Sequence, residues 1–205
     1  MTTISTLTTA QIAALSTAAI ASLTTADIAS LTTAQIPVLS TAQLAVLGSA
    51  QMAALTSAQM GVLTTQQMAN LSTMQVAALS TAAIKGLNTA DAVALTTAQA
   101  AVLTGAQVAA IGTAAMAAFE VADLAVLTTA AVAGLTTAQA VAMESQQFAA
   151  LSTAQIAALN AQVIGKLATA DIAALSTGQM VALTTATPEW GWRWRRACGA
   201  TARCS

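Results

Sequence analysis

Histidine and tyrosine are missing from this 205-residue chain, charged residues make up 6% of it and aromatics 2%. Each shortage removes a class of function. Without histidine there is no imidazole to activate a serine or cysteine, and none of the imidazole ligands on which most transition-metal sites draw. No G-x-S-x-G turn presents a nucleophile either. The sequence therefore offers no catalytic residue, no metal ligand set and no cofactor motif, and an enzyme is not expected. Six Lys and Arg against seven Asp and Glu, thinly spread, create no basic field, so the repeat body should bind no nucleic acid. Mean hydropathy is +0.73, yet a spanning helix needs about 20 predominantly apolar residues, and Thr, Ser or Gln interrupt every few positions. No transmembrane segment is expected. The start, Met1-Thr2-Thr3-Ile4-Ser5-Thr6, lacks the basic and apolar regions of a cleavable secretory signal.

What is present is a repeat. From Leu7 to Ala182 the chain divides into 22 blocks of eight residues without an insertion or deletion, among them LTTAQIAA (7–14), LSTAAIAS (15–22), LTTADIAS (23–30) and LSTAQIAA (151–158). The consensus is L-[ST]-T-A-Q-[IMV]-A-A. Position one is Leu in 19 blocks, replaced by Ile111, Phe119 and Met143 in the others. Position five is Gln in 13 blocks and Asp in four, Asp27, Asp91, Asp123 and Asp171. Strict length with tolerant side chains makes each block one geometrical step of a stack, because an insertion would displace every later contact.

Ala, Leu, Gln and Met favour helix, whereas Ser and Thr serve best at a helix N-cap. Position two therefore reads as N-cap and position five, three residues on, as the Gln of an S/T-x-x-Q capping box. Leu at position one and the aliphatic residue at position six have the spacing of a hydrophobic staple. Ser152, Gln155, Leu151 and Ile156 show the whole device in one block. The fold class expected is all-α, a solenoid of about 22 short capped helices, one per block. One continuous helix is a rival, but eight residues advance the apolar stripe by roughly 80° beyond two turns, and no partner could cover the resulting spiral. A β-solenoid is the alternative, suggested by the Thr pairs; against it stand the many Ala and the lack of period-two alternation.

In the helical reading, Leu at position one and the aliphatic at position six form the core. Ala at four, and at seven or eight, lets neighbouring backbones approach, and Thr, Ser and Gln face outward or cap. Pro37, at position seven of its block, should kink or end its helix. Gly61, Gly86, Gly134 and Gly165 fall at positions seven or eight and suit a C-cap. The chain divides into a lead-in over 1–6, the solenoid over 7–186, and an irregular tail over 187–205. That tail carries Trp190, Trp192, Trp194, Arg193, Arg195 and Arg196, a cationic aromatic segment suited to lipid headgroups or a nucleic-acid backbone, or else a disordered end. Cys198 and Cys204 could close a small disulfide, but with no His they complete no zinc site.

The pattern L-[ST]-x-x-Q-[IMV]-x-x-L, as in LTTAQIAAL and LSTAQIAAL, resembles the octapeptide-repeat tracts of large bacterial surface and secreted exoproteins labelled adhesin-like, over residues 7–185. The resemblance implies a structural or adhesive role at the cell surface or outside the cell. The L-T-x-x-Q-V start also resembles the DNA-binding repeats of plant-pathogen effectors, but their longer period and basic surface are missing here. Candidate chemistry is sparse. The four Asp, 64, 32 and 48 positions apart, read as N-terminal residues favoured by the helix dipole and not as a calcium ladder. Met52, Met60 and Met68 are position-six core filler. An outward Thr array could match an ordered surface such as ice, as the antifreeze helices it resembles in composition do. Partners, on these readings, are an ordered surface, a protein, or further copies of the chain.

Overall fold

The structure is a computed structural model and describes residues 4–186. Each block folds as the capping pattern dictates. After a short 3-10 turn at Ile4–Thr6 come 21 α-helices of four to ten residues, from α1 (Thr9–Ala13) to α21 (Thr177–Ala186). There is no strand among the described residues, so the β-solenoid alternative falls. The cap residue at position two sits in the extended region, for example Ser152 at φ −66°, ψ 162°, and its hydroxyl accepts from the position-five N–H. A fresh cap every eight residues stops the helix after little more than a turn and re-aims the next one. Helices so short are marginal in water, and burial against neighbours supplies what they lack.

Burial follows the octad. Position one is buried almost throughout, at Leu31, Leu39 and onward, and position six forms an inner row of side chains with no exposure, such as Ile12, Met52, Met60, Met68 and Phe148. The three Met expected as core filler are core. The ends depart: Leu7, Leu15 and Leu23 in the first coil are half-buried because nothing lies beneath them, and position-six Ile172 and Met180 near the other end are half-buried too. Ile4, at position six of an incomplete block, already belongs to the core.

Coil-to-coil contacts fix the pitch. They join residues 25 to 31 apart: Asn160 to Leu135, Asn88 to Gly61, and Gln59 to Leu31 and Ile28. The middle of that range, 28 residues, is three and a half blocks. Helices therefore pack on the helix three blocks ahead, as α5 (Ser49–Ala53) does on α8 (Thr73–Ala78) and α12 (Gly105–Ala110) on α15 (Thr129–Ala133).

Three expectations need correction. Ala at positions four and seven is exposed, as at Ala58 and Ala69, because a helix this short turns those positions away from the axis. Backbones approach instead through positions three and eight. A Cβ on Gly86 would overlap the Ser57 carbonyl, and one on Gly134 the Gly105 carbonyl. Of the four glycines expected as C-caps, Gly61, Gly134 and Gly165 take that place, at φ −69°, −76° and −62°, while Gly86 does not, because Lys85 caps its helix. Pro37 removes the N–H that elsewhere bonds position three, as Gly61 bonds Ser57 at 3.0 Å, and its block makes turns, not α-helix. The path survives, because Ile36 N–H still donates to Thr32 and Leu39 N–H to Ile36, both at 3.2 Å.

Candidate functional site

The third correction concerns Gln, and it defines the main polar feature of the molecule. Position-five Gln does not face outward. From Gln35 onward every one is buried, and each amide works in two directions. Its Oε1 accepts from the backbone N–H of its own cap residue at 2.7–2.9 Å, closing the expected capping box. Its Nε2 donates to two carbonyls of the coil beneath, 28 and 31 residues back. Gln59 bonds Leu31 and Ile28 at 2.7 Å each, Gln99 bonds Leu71 at 2.6 Å and Met68 at 2.9 Å, and Gln155 bonds Leu127 at 2.7 Å and Leu124 at 2.9 Å.

The polarity of the link is matched at both ends. The last carbonyls of a helix lack intrahelical partners and carry partial negative charge, while the first N–H groups carry partial positive charge. An amide lying between them offers its oxygen to the N-terminus of its own helix and its N–H groups to the C-terminus of the helix below. The repeat therefore runs a ladder of Gln rungs up the stack. The cap half was legible in the sequence; the rung half was hidden because its partners are backbone atoms some 28 residues away, and backbone atoms leave no sequence signal.

Rungs are missing where position five is Ala83, Ala115, Ala131 or Val163. The four Asp show what a carboxylate does instead. Asp27, in the first coil with nothing beneath, accepts from the Thr24 hydroxyl at 2.7 Å and the Thr24 N–H at 2.9 Å, and these bonds hold its pKa below the ordinary value. Asp171 accepts from Ala168 N–H and from the Ser145 hydroxyl one coil below, both at 2.7 Å. Asp91 and Asp123, each 1% exposed, fare differently: Asp91 Oδ1 and Asp123 Oδ2 are buried without a hydrogen-bond partner. Burial raises the pKa of both; Asp123 is pushed up to about 6, with the neighbouring Glu120 charge adding to the effect.

The outward residues are small and nearly uncharged. Position-three Thr is mostly exposed, as at Thr65 and Thr89, while cap duty falls on position two. Among the described residues no three His, Cys, Asp or Glu come together as a metal site, and no helix is long and apolar enough to cross a membrane. The Trp, Arg and Cys residues of the tail, from Trp190 to Cys204, lie outside the described residues.

No curated protein and no solved structure matches the chain. The family model for the ALTTAQ repeat matches residues 20–57, 41–73, 68–105, 116–153 and 148–185, and that hexapeptide stands unaltered at Ala94–Gln99. With overlapping matches over most of its length, and a block whose cap, rung and core positions are those described above, the chain belongs to the ALTTAQ repeat family.

Proposed function

We propose that the chain is a non-catalytic structural module, a spacer or display scaffold in a bacterial surface or secreted protein. The observation that carries this reading is the Gln ladder: among the described residues its buried amides are spent joining cap to coil and are not turned toward a substrate. The extracellular setting rests on the resemblance to exoprotein tracts. A module of this kind gains length in equal steps, because each block has the same eight-residue length and adds the same core pair.

The experiment is small-angle scattering on the full chain and on a version lengthened by duplicating seven blocks, which is two coils. A long dimension that grows in proportion to block number supports a spacer; a particle that grows globularly overturns it. So would turnover of a substrate by the purified chain that a single substitution abolishes without loss of fold.

A second reading makes the exposed position-three Thr rows a surface that recognises ice or a protein partner. Its support is that these hydroxyls stand apart from the caps and so are not needed for the fold. Changing position-three Thr to Ser throughout should keep the helical spectrum; loss of a measured ice or partner affinity in that variant would favour this reading over the first.

A further inference from the structure

The rung geometry gives the two unpartnered carboxylates a meaning. In every Gln-bearing block above the first coil, position five donates to carbonyls 28 and 31 residues earlier. For Asp91 those carbonyls belong to Leu63 and Met60, and for Asp123 to Leu95 and Ala92. An ionised carboxylate has no proton to donate and would turn a negative oxygen toward the C-terminal carbonyls of the helix below, the one place on a helix that repels it. Asp171 escapes because Ser145 donates to it; the corresponding Thr65 and Thr97 do not supply that bond to Asp91 and Asp123.

We propose that Asp91 and Asp123 become neutral carboxylic acids in the folded array as the surroundings acidify, each then donating its hydroxyl proton to a rung carbonyl of the coil beneath, so that the middle coils tighten. The charged surroundings agree. Asp91 lies on α10 (Thr89–Ala94), which packs on α7 (Thr65–Ala69) and α13 (Thr113–Ala117), neither of which has a titratable residue. Asp123 lies on α14 (Val121–Val126), with α11 (Thr97–Ala100) below carrying none and α17 (Ser145–Ala149) above preceded by Glu144. Glu120 is its own N-cap residue. No cation on these elements faces either carboxyl to hold it ionised.

The direction of the effect follows from linkage. A carboxyl whose folded pKa is raised binds more protons folded than unfolded, so stability falls as pH rises. For Asp123 the loss sets in above the ordinary 3.8 and is complete above about 6. Acidification across that window should therefore strengthen this array.

The test is thermal melting of the full chain at pH 5 and pH 7.5, with infrared detection of the protonated-carboxyl stretch. Wild type should melt several degrees higher at pH 5 and show the protonated band there. Asp91→Asn with Asp123→Asn, which mimics the neutral acid, should lose most of that pH dependence, melt above wild type at pH 7.5, and lack the band. Glu120→Gln with Glu144→Gln should retain most of the dependence, losing only the smaller part that the Glu120 charge adds at Asp123. A wild type no more stable at pH 5, an absent band in wild type, or a dependence removed by the Glu pair and not by the Asp pair would each overturn the proposal. Should the Asn variant fail to fold, Asp91→Gln with Asp123→Gln restores the family's own rung, and the band in wild type stands as an independent readout.

Discussion

Replacing Gln59 by Glu separates the cap from the rung. In an ordinary capping box Glu serves as well as Gln, since only an oxygen is needed to accept from the cap N–H. Here that oxygen accepts from Thr56 N–H at 2.8 Å, while the other end of the amide donates to Ile28 and Leu31 at 2.7 Å each. Glu keeps the first bond and turns the other two into contacts between a carboxylate oxygen and two carbonyl oxygens in a site 2% exposed. Gln59→Ala loses the cap bond and the two short rung bonds at about 1 kcal/mol each, together with a longer bond to Ala29 O at 3.4 Å. The figure is discounted because Ile28 O keeps its bond from Leu31 N–H, leaving a cost of about 2–3 kcal/mol. Glu should cost about 1–3 kcal/mol more than Ala at neutral pH, the penalty of a buried charge facing acceptors. Urea titration followed by far-UV circular dichroism at pH 7.5 should rank the midpoints Gln above Ala above Glu, and at pH 4.5 protonation should lift Glu to Ala or beyond. A Glu variant as stable as wild type at pH 7.5 would refute the rung and leave Gln as a cap only.

Four further outcomes follow from the same geometry. Gly134→Ala drives a Cβ into the Gly105 backbone and should lower stability by about 1–3 kcal/mol, whereas Gly112→Ala meets nothing within 4 Å and should stay within about 0.5 kcal/mol of wild type; paired urea midpoints decide. Ser145→Ala deprives Asp171 Oδ1 of its donor and should lower stability by about 1–2 kcal/mol, read as a shift of the urea midpoint. Deleting one whole block, 71–78, moves every later rung to an equivalent carbonyl and should preserve a cooperative melt, while deleting 71–74 breaks the octad and should abolish it. Pro37→Ala restores the missing N–H and should raise helical ellipticity, with stability changed by less than about 1 kcal/mol, because the regained bond is offset by a freer unfolded chain.

The elements were legible because each block announces its own start. Ser152 and Gln155, three apart with Leu151 and Ile156 flanking them, specify a cap, a staple and a helix without reference to anything distant. The core positions were legible for the same reason, Leu and the position-six aliphatic being the only large apolar side chains that recur. What could not be seen was the number of blocks per coil. That number depends on the angle through which each cap redirects the chain, set by a pair of dihedrals such as those of Ser152. Without it, the residues above and below Gln155 were unknown, and an amide one full coil from its acceptors looked like a surface residue. Ala is ambiguous for a related reason: small size suits close packing and the exposed side of a short helix alike, and positions four and seven lie on the exposed side.

The ladder also explains why the array keeps a polar residue in its interior. A core built only from Leu and position-six aliphatics would let one coil slide past the next by a fraction of a block at little cost, since the apolar surface alone has no directional contacts. Two carbonyls per rung, 28 and 31 residues back, belong to the end of one block and the start of the next, so an amide is satisfied only above a junction. A slip of half a block would place buried N–H groups over a helix middle, where the carbonyls are already taken, at about 1–3 kcal/mol per unsatisfied group. Summed over twelve rungs, that penalty fixes the stagger of the whole stack. The rungs are thinnest between Ala83 and Ala131, where only Gln99 and Gln107 remain. Register is held least firmly there, and it is there that Asp91 and Asp123 sit.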